Sequence, residues 1–389
     1  MKKIIYIFDE DDKYGGPKTG MEMVLGLKKM GIEPVVLTSK KNNVNKICDC
    51  NNIENYVTHH HKYTYVKTNS KIKDIIKFVP RFIRYKVGNF IALRTIQKKI
   101  DMNKIEFIHT NISAIDLGIK LANKYRLKNI MHIREFWDLD FNMHSYRKNY
   151  IGYLNENVFA FIAISNAIRQ HWIKKGIDEK KIYTIYNGVN FDDINEKREF
   201  NNFSDKIKIL MMGSISEGKG QQELVKAVSL LDKNIKKNIQ VDIVGSGYAF
   251  AEENLKREIS YNRLEDIVKF KGYDKDIRKK INNYDIGIIC SKAEGFGRVT
   301  IEYMHAGVCV IASDTGANPE LIEENKNGLL YKKGNCYDLA KKIAFVCQNR
   351  SILEKIAREA MKIANSKFST EIFVNNIMKF YEEILDKKI

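Results

Sequence analysis

The stretch that most restricts the possible folds is residues 291–322, SKAEGFGRVTIEYMHAGVCVIASDTGANPELI. Apolar runs at 285–290 and 308–312 read as strands, one leading into the stretch and one inside it. Between them, two carboxylates eight residues apart, Glu294 and Glu302, flank Gly295-Phe296-Gly297. A second turn cluster follows at Thr315-Gly316-Ala317-Asn318-Pro319-Glu320. Strand, tight turn, helix start, strand and turn in that order specify a parallel α/β sheet. A glycine turn at a helix N-terminus also exposes backbone N–H groups where a phosphate can bind. With carboxylates beside it for sugar hydroxyls, the combination points to a nucleotide-linked sugar.

The same grammar recurs along the chain. Strands are expected at 3–8, 33–38, 107–109, 129–133 and 158–164, with helices at 20–30 and 114–125 and an irregular insert at 48–104. A second α/β unit is expected from strands at 206–212, 240–244, 268–271, 285–290 and 308–312, with helices at 221–231 and from 252. The polar run 187–204 suits a connection. The implied organisation is two doubly wound parallel-sheet domains, 1–190 and 205–367, facing across a cleft. The apolar periodicity of 368–389 suits either a capping helix or one that crosses back to the first domain. Ligands of such sheets bind beyond the carboxyl ends of the strands, where the Gly15-Gly16, Gly213-Ser214 and Glu294 loops are expected.

At 389 residues the chain is long enough for two cores. Its hydrophobic content of 44% is that of a globular protein. The net charge of +18 is lopsided: residues 1–190 hold 33 Lys and Arg against 18 Asp and Glu, and the remainder 33 against 30. An anionic surface or substrate for the first half follows. The six cysteines form no zinc spacing, and Cys290, Cys309 and Cys347 read as reduced and buried, so no metal site is expected. Acidic residues come too early in MKKIIYIFDEDD for a secretory signal, and no apolar run reaches bilayer-spanning length. The expected location is cytoplasmic, with peripheral contact on the inner face of the plasma membrane.

That contact is expected at residues 71–99, which carry nine Lys or Arg and one acidic residue among apolar side chains. Such a segment can lie flat on an anionic bilayer. The plainer alternative is a helical hairpin on the core with a solvated basic face. No recognition-helix or RNA-binding strand pattern accompanies it, so no nucleic-acid partner is expected.

Each candidate site residue has a functional and a structural reading. Glu294 is either a carboxylate beside the reacting sugar or a solvated loop residue. Glu302 either accepts both hydroxyls of a ribose or interacts with the helix dipole. Gly297, Arg298 and Phe296 offer backbone N–H groups to a diphosphate or simply reverse the chain. Lys219, held between glycines, can neutralise a departing phosphate. Gly245-Ser246-Gly247 and Gly272 mark close turns after strands. Gly15 and Gly16 lack a dinucleotide fingerprint, which disfavours NAD chemistry. His132 and Arg134 end a strand. His59-His60-His61 reads as exposed loop.

Taken together these motifs resemble the family 4 retaining glycosyltransferases of GT-B fold. The likeness rests on Glu294-Gly295-Phe296-Gly297 through Glu302, Ala306-Gly307, Val310-Ile311-Ala312 and Gly316 through Ile322, with Lys219-Gly220, Gly245-Ser246-Gly247, Gly272, Ala163-Ile164-Ser165 and Asn187-Gly188-Val189. The resemblance implies a nucleoside-diphosphate-sugar donor, with a UDP-sugar the expected one, and no tightly bound cofactor. By it, Glu302 holds the ribose, Glu294 contacts the donor sugar, and Lys219 contacts the diphosphate. Gly297 and Arg298 supply backbone donors, Gly15 and Gly16 approach the phosphates, and His132 lies near the donor hexose. Ser214 stands where the family commonly has an arginine, which leaves less positive charge at the leaving group.

The implied reaction is transfer of a hexose with retention of anomeric configuration to a glycan or lipid-linked acceptor, in surface polysaccharide or glycoconjugate synthesis. A nucleotide-sugar epimerase of the same architecture would need no acceptor. A non-catalytic membrane- or partner-binding protein would bind its partner regardless of Glu294.

Overall fold

The computed structural model describes residues 3–9, 15–67, 70–195 and 206–385. It separates into two compact units, Met1–Gly188 with Thr370–Ile389, and Val189–Ser369.

The first unit is built on seven parallel strands. From edge to edge they run Glu54–Val57, Glu33–Thr38, Lys3–Phe8, Ile105–Thr110, Lys128–Ile133, Ala160–Ala163 and Ile182–Thr184. The central strands are near-continuous apolar runs because helices cover both faces. Helix Gly15–Lys29 and helix Thr370–Leu385 pack against one face, and helices Lys71–Lys99 and Leu117–Tyr125 against the other. Phe373, Val374, Ile377, Phe380, Tyr381 and Ile384 sit in the same core cluster as Tyr6 and Phe107. Each such side chain contributes about 1.5–3 kcal/mol on burial, so the C-terminal helix is part of this core. A methyl group at Gly26 would fall 2.5 Å from Val374 Cγ2, so the glycine permits the close helix approach.

The second unit has six parallel strands in the order Val268–Gly272, Ile239–Val244, Ile207–Met212, Ile286–Ile289, Cys309–Ser313 and Leu329–Tyr331. Strand order reverses between Ile207–Met212 and Ile286–Ile289. The loops after these two strands, Gly213–Gly220 and Ser291–Gly297, therefore flank the switch point where ligands of open α/β sheets bind.

Several local expectations change. Gly15 and Gly16 lie in the first turn of helix Gly15–Lys29, not in a loop before it. Pro17 is tolerated there because first-turn N–H groups have no intrahelical acceptor. Residues 71–99 form one helix with Pro80 inside it, not a hairpin, and the surrounding stretch is ordered into helix Asn43–Cys50 and strands Glu54–Val57 and Thr64–Val66. His60 is fully buried, its Nδ1 2.8 Å from Thr58 Oγ1. Cys347 is half-buried, whereas Cys290 and Cys309 are buried. The polar connection 187–204 falls partly outside the described residues. Among the described residues no helix is long and apolar enough to cross a membrane.

Candidate active site

The Glu294 turn is held by hydrogen bonds from the next strand and its loop. Ser313 and Thr315 hydroxyls donate to the Ser291 carbonyl at 2.8 and 2.7 Å. The Ala317 N–H donates to the Glu294 carbonyl at 2.8 Å. Gly316 has φ +57°, and a Cβ there would lie 2.2 Å from that same carbonyl oxygen. Glycine is thus required for the two loops to touch. Gly297 (φ +86°) caps helix Arg298–His305 in a left-handed conformation, and Phe296 is buried against Phe368.

The Glu294 carboxylate is gripped at both oxygens. Lys219 Nζ lies 3.1 Å from Oε2, and the Gly297 N–H donates to Oε1 at 3.3 Å. Lys219 Nζ also reaches Ser291 Oγ at 3.4 Å. An ammonium and a backbone N–H at a helix N-terminus are what an oxyanion needs. Here a carboxylate holds that position.

Glu302 is buried one turn into the helix, and both Arg298 Nε (3.2 Å) and Arg278 Nε (3.1 Å) donate to its Oε1. Arg278 in turn donates to Asp193 Oδ2 at 2.9 Å and the Asn190 carbonyl at 2.7 Å. The two guanidinium groups explain how a carboxylate survives burial here. Sequence reading missed Arg278. It lies in a run of ordinary basic residues 24 positions before Glu302, with no motif to set it apart.

The loop after Ile207–Met212 is tightly packed. A Cβ on Gly245 (φ +152°) would fall 1.8 Å from the Gly213 carbonyl oxygen, and the Gly245 N–H donates to the Gly272 carbonyl at 2.8 Å. Buried Gln221 donates to the Ser214 carbonyl at 2.9 Å. A cavity lined by Asp242, Lys271, Tyr273 and Tyr284 lies beside these glycines. The Arg298 side chain is engaged with Glu302 rather than directed at Ser214 by any observed contact among the described residues.

In the first unit, His132 is fully buried at the end of its strand. Its Nδ1 faces two groups, Arg134 Nη2 at 3.3 Å and His109 Nε2 at 3.2 Å. A guanidinium only donates, so Nδ1 is an acceptor and the neutral ring carries its proton on Nε2. His109 then donates through Nε2, and its Nδ1 accepts the Tyr381 hydroxyl at 2.7 Å. His132 Nε2 is buried without a hydrogen-bond partner among the described residues. Burial, then the Arg134 charge, then His109 hold the His132 pKa well below the usual histidine value. Burial likewise takes His109 down to about 3. Arg134 is clamped by the carbonyl and side-chain oxygens of Asn111 and by Asn187 Oδ1 at 3.0, 2.7 and 3.0 Å. A Cβ on Gly16 would stand 3.3 Å from Arg134 Cδ, while one on Gly15 would meet nothing within 4 Å among the described residues.

The family model for glycosyl transferases group 1 matches residues 192–363, and that for Glycosyltransferase Family 4 matches residues 15–193. The chain belongs to the family 4 glycosyltransferases. An uncharacterized glycosyltransferase of Methanocaldococcus jannaschii is 27% identical over 80% of this glycosyltransferase and 86% of its own length. The capsular polysaccharide biosynthesis glycosyltransferase CapM of Staphylococcus aureus is 24% identical over 61% of this chain and 66% of its own. HepE from Anabaena, solved in complex with UDP, has a TM-score of 0.78 at 18% identity, covering 98% of this chain and 100% of that one. Its complex with UDP-glucose has a TM-score of 0.75 at 19% identity, covering 98% and 100%. The fold of this glycosyltransferase is GT-B, two parallel-sheet α/β domains, as its motifs led us to expect.

Proposed function

We propose that this glycosyltransferase moves a hexose from a UDP-sugar to a glycan or lipid-linked acceptor in surface polysaccharide synthesis, with retention of configuration. The observation that carries the reading is the Lys219–Glu294–Gly297 arrangement at the head of helix Arg298–His305, beside the strand switch point. UDP and UDP-glucose in the Anabaena neighbour and the capsular role of the Staphylococcus aureus relative support the donor and acceptor classes.

In this reading the donor diphosphate takes over the Lys219 ammonium and the N–H groups of Gly297 and Arg298. Glu302, braced by Arg278 and Arg298, accepts from the ribose hydroxyls. Glu294, released by Lys219, accepts from a hydroxyl of the transferred sugar. Gly245 and Gly272 keep side chains away from the nucleotide, and Ser214 occupies the position flanking the phosphates. Gly15 and Gly16 offer first-turn N–H groups to an anion at the first unit. His132 offers its Nε2–H as a donor within the first unit.

The anomeric C–O bond to the phosphate breaks as the acceptor oxygen bonds to the same face of that carbon. The departing phosphate oxygen takes the acceptor's proton. Positioning and electrostatic stabilisation do the work, so no side-chain base is needed.

The test is a hydrolysis and transfer screen of the purified protein against UDP-, GDP- and ADP-sugars, with product anomers assigned by NMR. Turnover of a UDP-hexose with retained configuration is expected. No turnover of any donor removes the reading, and an inverted product removes the retaining mechanism.

A further inference from the structure

The outer face of helix Lys71–Lys99 exposes a run of large apolar side chains. Ile72, Ile75, Ile76, Val79, Ile83, Val87 and Phe90 are all between 51% and 72% exposed. Their spacing of three and four residues aligns them in one stripe along the helix. The opposite face is the one that packs inward. Tyr85, Asn89, Ala92 and Ile96 are buried, and Phe78 and Phe82 meet Tyr146 edge-to-face while Tyr85 stacks on it, with ring centroids 5.3, 5.4 and 5.8 Å apart. The aromatic packing fixes the helix rotation, so the apolar stripe is held outward.

Basic side chains border and interrupt the stripe. Lys77, Arg84, Lys86 and Arg94 are exposed. Lys86 Nζ sits 5.4 Å from the Phe82 ring centroid, and Arg94 Cζ 5.4 Å from that of Phe90. An apolar stripe with cations along it matches the layering of a bilayer surface, acyl chains below and phosphate headgroups at the edge. The charge selects among occupants. A second copy packed through a twofold axis would bury Lys86 and Arg94 of both copies in one desolvated, like-charged contact. Nucleic acid would meet the cations but leave the isoleucines and Phe90 in water.

We infer that this helix docks the first unit flat on an anionic lipid bilayer, inserting the Ile72–Phe90 stripe among the acyl chains while the flanking lysines and arginines meet headgroup phosphates. The surface belongs to the first unit alone and, on the function proposed above, delivers the enzyme to lipid-linked acceptors. Its test does not depend on the donor reading.

The full chain is sedimented with vesicles of phosphatidylglycerol mixed with phosphatidylcholine, and with vesicles of phosphatidylcholine alone. Binding to the anionic vesicles is expected to be at least about tenfold stronger and to weaken with salt. Ile75→Ser/Val79→Ser/Ile83→Ser and, separately, Lys77→Gln/Lys86→Gln/Arg94→Gln are each expected to cut it about tenfold or more without moving the thermal midpoint, because these side chains are exposed. The charge variant keeps the question answerable if the apolar one misfolds. Undiminished binding by both variants overturns the inference. So does failure of the parent chain to bind, whether it instead dimerises through this face or retains an added oligonucleotide.

Discussion

The ammonium of Lys219 lies 3.1 Å from Oε2 of Glu294, although the two residues are 75 positions apart in the chain. With the Lys219 side chain 37% exposed and that of Glu294 17%, the pair is worth less than about 1 kcal/mol to stability. In the function proposed above its worth lies in the site, where it keeps a cation and an acid at the head of helix Arg298–His305. Lys219→Ala and Glu294→Gln should each lower kcat by about a hundredfold to a thousandfold, with thermal midpoints close to the parent. Full activity in both variants would remove this turn from the active site.

Arg278 should act on nucleotide binding. Arg278→Met leaves buried Glu302 with Arg298 alone and frees the 190–193 segment it holds. The expected outcome is about 1–3 kcal/mol of lost stability in urea unfolding and a higher donor KM at similar kcat. If Glu302 has no role in ribose binding, the stability loss will appear with an unchanged KM.

Acid should destabilise the fold early. His60, His109 and His132 are fully buried, and their folded pKa values lie at about 4, about 3 and well below the usual value. In the unfolded chain each titrates near 6.5. Between that value and the folded one, only the unfolded state binds the protons. Stability is therefore full above about pH 6.5 and falls as pH drops, by up to about 1.4 kcal/mol per pH unit for each histidine. Urea unfolding at pH 7, 6 and 5 should show a combined slope approaching about 4 kcal/mol per unit. A flat profile, or imidazole resonances of these residues titrating near 6.5 in the native protein, would contradict their buried neutral state.

Tyr381→Phe removes the hydroxyl that donates to His109 Nδ1 and should cost about 1–3 kcal/mol. Long-range proton–nitrogen spectra should show His132 protonated on Nε2 in the parent and in the variant, since Arg134 alone forbids the other neutral form. A parent His132 protonated on Nδ1 would refute the tautomer assignment.

Apolar runs such as Lys3–Phe8 and Ile239–Val244, with glycines and helical stretches between them, were enough to specify two parallel α/β units. Strand and turn chemistry is local, so it survives in one dimension. The Glu294 turn was legible for the same reason: glycine, carboxylate and helix start are contiguous there. Boundaries were less so. Gly15 and Gly16 read as a loop because glycine has poor helix propensity, yet packing of the helix carries them into its first turn. His60 read as solvent-exposed, since nothing local tells that its neighbours fold over it.

What the sequence determined by itself was the two-sheet α/β architecture and the glycine turn at the head of helix Arg298–His305, because both arise from residues close in the chain. Only the tertiary structure decided that Arg278 braces Glu302, that Tyr381 reaches His109, and that the 71–99 helix turns its isoleucines outward. Those pairings join residues far apart in sequence, and which face of a helix is buried depends on what packs against it.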